Sequence, residues 1–145
     1  VPLGGMMLTG LIEKSFGVKN EEAEIMKRTH GLSRDVENAE LFNTLIGGVS
    51  VLKDEIFKNY EYWNTHKDEL GNARPKIDEI IISGGNANLI GITEYLEASL
   101  KTPVKLGDVW TNMNYEKNYI PDMNFDDSLS YATAIGLALG DFEAD

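Results

Sequence analysis

The run Lys76-Ile77-Asp78-Glu79-Ile80-Ile81-Ile82 constrains the fold more than any other segment. Its closing three isoleucines favour a strand, and a continuous β-branched run implies burial on both faces at that end. Ser83-Gly84-Gly85-Asn86 then breaks the run as a turn. From 89 to 100, Leu89, Ile92, Leu96 and Leu100 fall on one helical stripe. Pro103-Val104-Lys105-Leu106 reads as a second short strand. Strand, turn, helix and strand in this order predict an α/β fold with few strands and packed helices.

The remaining segments read mostly as helices. Met7, Leu8, Leu11, Ile12 and Phe16 keep helical spacing as far as Gly17. A second helix is expected from Glu21 to about His30, with Asn20 as N-cap and Gly31 as its stop. Glu21, Glu22 and Glu24 near its start and Lys27 and Arg28 near its end suit the helix dipole. A long helical pattern follows from Asp35 to His66, its seam formed by Phe42, Leu45, Val49, Leu52 and Ile56. Gly47-Gly48 interrupts that seam. Each glycine costs about 1 kcal/mol there relative to alanine, which implies a bend or a close helix contact. Residues 67–75 read as a loop. Residues 107–127 are irregular, with Trp110, Tyr115, Tyr119 and Phe125 expected to close the edge of the core. A last helix, rich in small residues, is expected from Ser128, as its cap, to Gly140, packed closely against a sheet. Val1 to Leu3 reads as the tail of a strand, and residues 1–145 as a single unit.

Composition narrows the function. The formal charge is −11, and residues 108–145 carry eight acids against one base. Such a field repels nucleic acid and anionic membrane surfaces. With no cysteine, disulfides and Cys-ligated zinc are excluded. No apolar run is long enough for a membrane-spanning helix. The opening Val1-Pro2-Leu3-Gly4-Gly5 has no signal-peptide character, and we expect the chain to begin inside a longer protein.

Chemistry is concentrated in two places. The first is the Gly84-Gly85-Asn86 turn at the carboxyl end of a buried strand, where open α/β sheets bind ligands. Glycine lets backbone approach a ligand, and a following helix N-terminus adds a positive dipole. The spacing is neither a Rossmann fingerprint nor a P-loop, so a plain tight turn explains it equally well. The second is Ala23-Glu24-Ile25-Met26-Lys27, which places Glu24 and Lys27 on one helix face. Taken alone, that pair reads first as a surface ion pair contributing a few tenths of a kcal/mol. His30 and His66 are better explained by a helix end or a loop than by catalysis or metal binding. Asp126-Asp127 reads as a solvated helix start, and Ser83 and Thr9 have no neighbouring base that would make a nucleophile.

These pieces, in this order, resemble the second domain of the actin-like ATPases, a ribonuclease H-like fold. Leu3-Gly4-Gly5-Met6-Met7-Leu8-Thr9 resembles the segment after the second phosphate loop. Ala23 to Lys27 is similar to the helix motif that reaches the nucleoside, and Ile82-Ser83-Gly84-Gly85-Asn86-Ala87 to the adenosine motif. Within that superfamily the chain most resembles the PilM family of type IV pilus assembly. Glu55-Ile56 with the following tyrosines, Ile90 to Leu96, Pro103 to Asn112, Ser128 and Tyr131 to Leu139 carry that likeness, and so does the short connection from Gly31 to Asp35.

The resemblance implies a nucleotide-binding half of a cytoplasmic scaffold, peripheral to the inner membrane. Gly84, Gly85 and Asn86 would line adenine and ribose. Glu24 would accept hydrogen bonds from the ribose, Lys27 would lie along the nucleoside, and Gly5 and Thr9 would stand toward the phosphates. The implied cofactor is ATP with magnesium in the parent protein, not bound tightly by this chain alone. The family's Asp-x-Gly phosphate motif is absent from the sequence. Magnesium and phosphate contacts supply the charge stabilisation for phosphoryl transfer, so this chain alone is expected to be inactive. The implied partners are the remainder of an actin-like fold and, through the first domain, the tail of a PilN-like membrane protein. Neither nucleic-acid binding nor direct membrane insertion is expected. An open sheet edge on the Ile77–Ile82 side further implies a dimer. An FtsA-like division role and an activator or reactivase ATPase are the alternatives, the latter disfavoured in its cluster-bearing form by the absence of cysteine.

Overall fold

The structure is a computed structural model that describes residues 4–111 and 122–140. Three helices come first: α1 (Gly5–Phe16), α2 (Asn20–His30) and, after a single 3-10 turn at Val36–Asn38, the long α3 (Ala39–Thr65). Then come β1 (Ile80–Ile82), a 3-10 turn at Gly85–Asn88, α4 (Ile92–Leu100) and β2 (Val104–Leu106). Two short helices close the described chain, α5 (Phe125–Leu129) and α6 (Ala132–Gly140). The expectations for Val1 to Leu3, Tyr115 and Tyr119 fall outside the described residues.

The α/β expectation holds. β1 and β2 pair in parallel, with Ile80 opposite Val104 and Ile82 opposite Leu106. Ile80 N donates to Pro103 O at 2.8 Å and Gly107 N to Ile82 O at 2.8 Å, so the ladder extends one residue past each end of the pair. The strand is shorter than the sequence suggests: Glu79 pairs with Lys105 through its side chain at 2.7 Å, but 76–79 have no strand partner among the described residues. Burial on both faces does not hold either: Ile81 is 63% exposed, since among the described residues nothing covers its side of the sheet.

The core lies between the helices. Leu8 and Ile12 of α1, Leu41, Leu45 and Val49 of α3, and Ile92, Leu96 and Leu100 of α4 form one cluster with Ala23, Leu32, Leu89 and Val104. α1 packs on both α2 and α3, and α4 bridges α3 to β2. The sequence seam on α3 is thus half right. Leu45 and Val49 are buried, whereas Phe42, Leu52 and Ile56 only flank the core.

Helix ends moved for local reasons. Asn20 lies inside α2 and does not cap it; its amide donates to Glu13 Oε1 instead. The helix expected from Leu89 starts at Ile92, because Gly85–Asn88 forms a 3-10 turn first. The last helix is split. Asn124 caps α5 by accepting from Asp127 N, while Ser128 is buried and donates to Phe125 O. The close packing expected of the terminal helix is absent, as no residue of α6 is buried among the described residues.

Gly47 and Gly48 sit within an uninterrupted α3, and Gly48 marks a close helix contact. A Cβ on Gly48 would lie 2.6 Å from Leu8 Cδ2 and 3.0 Å from Leu11 Cδ1, whereas one on Gly47 would meet nothing within 4 Å. α1 therefore rests on bare backbone at Gly48 alone. Gly47→Ala is expected to stabilise the chain by about 1 kcal/mol through helix propensity. Gly48→Val is expected to cost about 1–3 kcal/mol through overpacking. Urea unfolding of both variants checks this, and equal effects would remove the contact argument.

Candidate functional site

The site is built where the start of α1, the middle of α2 and the turn after β1 converge. On α2, helical spacing puts Glu24 and Lys27 side by side, and their ion pair closes at 2.6 Å. This is not the solvated surface pair that the sequence suggests. Lys27 is only 8% exposed, because α1 covers it. Its ammonium also donates to Thr9 Oγ1 at 3.0 Å and to Gly5 O at 3.5 Å. Thr9, one turn into α1, is 2% exposed, and its hydroxyl has Glu24 Oε2 at 2.7 Å and Gly5 O at 2.9 Å within reach. The ionised carboxylate is the stronger acceptor for that single hydrogen. On the solvent side, Arg28 Nε donates to Glu24 Oε1 at 3.0 Å.

The turn approaches this cluster from the sheet. Gly84 has φ +99°, in the region that favours glycine, and its N–H donates to Leu129 O at 3.0 Å. A Cβ on Gly85 would stand 3.0 Å from Ser130 Oγ, so the turn is seated on the end of α5. Asn88 adds a third tie by donating from Nδ2 to Asp126 O. Asn86 points the other way: a Cβ on Gly5 would meet Asn86 Oδ1 at 2.8 Å and Lys27 Nζ at 3.5 Å. Leu32 N donates to Ile90 O at 2.8 Å, fixing the end of α2 against the segment that follows the turn.

The structure thus brings Gly5, Thr9, Glu24, Lys27 and Asn86 into one cluster. Gly84 and Gly85 adjoin it through the chain but have one side against α5. The helix dipole expected beneath the glycines is displaced, since α4 begins only at Ile92. The sequence marks Arg28 only as a charge that suits the helix dipole and gives no signal for Asn88, Leu129 and Ser130. The spacing of Arg28 from Glu24 was readable, whereas the seating of the turn on α5 joins distant segments and leaves no local pattern. His66 and His30 lie at helix ends as expected, with His66 Nδ1 3.0 Å from Tyr62 O. Among the described residues, no group of three or more His, Cys, Asp or Glu could hold a metal ion.

Partial burial raises the Glu24 carboxyl, but hydrogen bonds from Lys27, Thr9 and Arg28 and the Lys27 charge outweigh it. The net pKa falls from 4.5 to about 2. Between those values the unfolded chain binds more protons than the folded one, so folding stability falls as pH falls. The contribution is complete above about pH 4.5 and is lost toward about pH 2. Glu24→Gln removes it. The difference in Tm between wild type and Glu24→Gln, followed by circular dichroism, is expected to shrink through that window. A constant difference would contradict the network.

The description "Type IV pilus assembly protein PilM" belongs to a family model that matches residues 1–142. A solved structure titled "PilM-PilN type IV pilus biogenesis complex" is similar in fold, with a TM-score of 0.72 and 22% sequence identity. The likeness covers 97% of this chain and 37% of that one, so this chain spans well under half the length of the similar chain. No curated protein matches significantly. The α/β arrangement of few strands and packed helices is that of part of a PilM structure. Matched over nearly its whole length, the chain belongs to the PilM family of type IV pilus assembly proteins.

Proposed function

We propose that this chain supplies the nucleoside end of an ATP site in a PilM-type scaffold of the pilus assembly machinery. The carrying observation is the convergence of Gly5, Thr9, Glu24, Lys27 and Asn86 from three separate segments beside a glycine turn. A purine nucleoside needs a narrow approach to backbone and a few fixed polar groups. Gly84 and Gly85 give the approach. The Asn86 carboxamide and the Glu24 carboxylate are the polar groups, an acceptor and donor for the base side and an acceptor for ribose hydroxyls. Gly5 and Thr9 lie at the start of α1, toward the phosphates on this reading. No Asp-x-Gly occurs in the sequence. On this reading phosphate and metal contacts come from other parts of the protein, and this chain alone is expected not to hydrolyse ATP.

The similar structure is titled as a PilM-PilN complex. By that analogy the whole protein holds the tail of a PilN-like membrane protein outside the region covered here. It is then a cytoplasmic protein placed at the inner membrane through its partner. No helix among the described residues is long and apolar enough to cross a membrane. The uncovered faces fit the same reading. α6 reads Ala-Thr-Ala-Ile-Gly-Leu-Ala-Leu-Gly with nothing buried, and the β1 edge away from β2 is unpaired among the described residues. Both would face the remainder of an actin-like fold. In isolation the chain is expected to dimerise through this edge; a monomer in light scattering at high concentration would count against it.

Binding of a fluorescent ATP analogue with magnesium tests the nucleoside assignment. In the full-length protein, Asn86→Ala and Glu24→Ala are each expected to lower affinity about tenfold. Gly85→Val is a weaker probe, because its side chain also meets Ser130. Unchanged affinity in Asn86→Ala and Glu24→Ala overturns the reading. The 145-residue chain alone is expected not to bind at millimolar concentration.

A further inference from the structure

We propose that Gly31 is a positioning residue for the nucleoside site: its bare backbone lets the end of α2 cross the segment after the glycine turn, and this crossing sets the spacing between Glu24 and Asn86. The inference rests on the nucleoside reading above and adds to it a residue outside the cluster. Gly31 ends α2 with φ +50° and ψ −132°. That combination lies outside the regions open to L side chains, and glycine adopts it freely. Space demands glycine as well. A Cβ on Gly31 would lie 2.6 Å from Ile90 O and 2.8 Å from both Ile90 N and Ile90 Cβ. Two of those three atoms are backbone, so no change of rotamer relieves the contact. On the other side of the crossing, Gly91 has φ +79°, and a Cβ there would lie 3.3 Å from Leu32 Cβ. Each segment thus presents a glycine to the other. Leu32 and Leu89 beside them are buried in the core cluster, which anchors the crossing on its apolar side.

A short run of backbone hydrogen bonds carries this contact to both halves of the site. Gly31 N donates to Lys27 O at 3.0 Å, one turn back along α2. Leu32 N crosses to Ile90 O at 2.8 Å. Leu89 N donates to Asn86 O at 3.1 Å, closing the 3-10 turn. Lys27 and Asn86 are therefore joined through backbone at the crossing, while their side chains both reach Gly5. α2 otherwise packs chiefly on α1, so the crossing is its backbone tie to the turn. A methyl group at Gly31 would push the end of α2 off Ile90 and carry the Glu24 carboxylate away from Asn86. A binding constellation tolerates little such displacement, because its groups must be held within about 0.5 Å.

Mutant cycles on the full-length protein test this. Affinity for the fluorescent ATP analogue is read well below Tm for Gly31→Ala, alone and combined with Glu24→Ala or Asn86→Ala. Gly31→Ala is expected to lower affinity about tenfold. Adding Glu24→Ala is then expected to change little, because the carboxylate is already out of reach, whereas adding Asn86→Ala still lowers affinity about tenfold. Gly91→Ala, with its milder contact, carries the same cycles if Gly31→Ala does not fold. Undiminished losses from both Glu24→Ala and Asn86→Ala in the glycine variant would show that the crossing does not set the spacing, and overturn the proposal. Disappearance of both losses would mean general disruption of the site and overturns it as well. So does a lowered Tm with unchanged affinity, which would make Gly31 merely structural. In that last case, losses from Glu24→Ala and Asn86→Ala in the otherwise unaltered protein leave the nucleoside reading standing. Normal affinity in those two variants removes both the reading and this inference.

Discussion

The buried ammonium of Lys27 is the constraint on which the arrangement of α1 and α2 depends. A lysine enclosed between helices is tolerated only when its charge is paired and its donors are met. Glu24 supplies the charge, and Thr9 and the Gly5 carbonyl supply the remaining acceptors. The pair therefore does more than join neighbours on one helix. It fixes the rotation of α2 against α1 and ties the first residue of α1 to α2. Apolar packing has no such directional demand. Leu8 and Ile12 bury against Leu45 and Val49 through shape alone, helped by the bare backbone at Gly48.

That division explains how the glycine turn is held. From beneath, α5 offers the Leu129 carbonyl, the Ser130 side chain and the Asp126 carbonyl to Gly84, Gly85 and Asn88. From the side, Leu32 and Ile90 join the end of α2 to the start of the α4 segment. The turn is thus braced by backbone groups on two sides, and the face with Asn86 is left toward the ionic cluster. Precise sites depend on such support, because a flexible turn places its side chains poorly. The parallel pair of strands sets the height of the turn, and α4 fixes the strands by filling the space between α3 and β2.

Much of this was legible in the sequence where the signal is periodic. The α1, α2 and α3 patterns, the Ile80–Ile82 strand and the stripe on α4 all follow spacing, and each element exists. Capping was read poorly. Asn20 and Ser128 are good cap residues by type, yet Asn20 bonds Glu13 across a helix junction and Ser128 is buried within α5. Type alone does not show which neighbour a short polar side chain finds. The resemblance of the glycine turn and the Glu24–Lys27 pair to nucleotide motifs singled out residues that the fold does bring together. Local spacing, however, ranked that pair as a surface contact, since nothing local reports that α1 will cover it. The seating on α5 was invisible for the same reason.

The burial pattern sets the remaining argument. Ile81 is exposed and the mostly apolar α6 has no buried residue among the described residues, whereas the α1–α3–α4 side holds the core. An apolar helix and an unpaired strand edge on the same chain are unfavourable features that globular proteins normally cover. The proposed nucleoside site lies between these two regions, on a turn that runs out of β1 and rests on the residues leading into α6. On the proposed reading, this chain fixes the nucleoside groups, and the β1 edge and α6 are the faces it offers to the remainder of the fold.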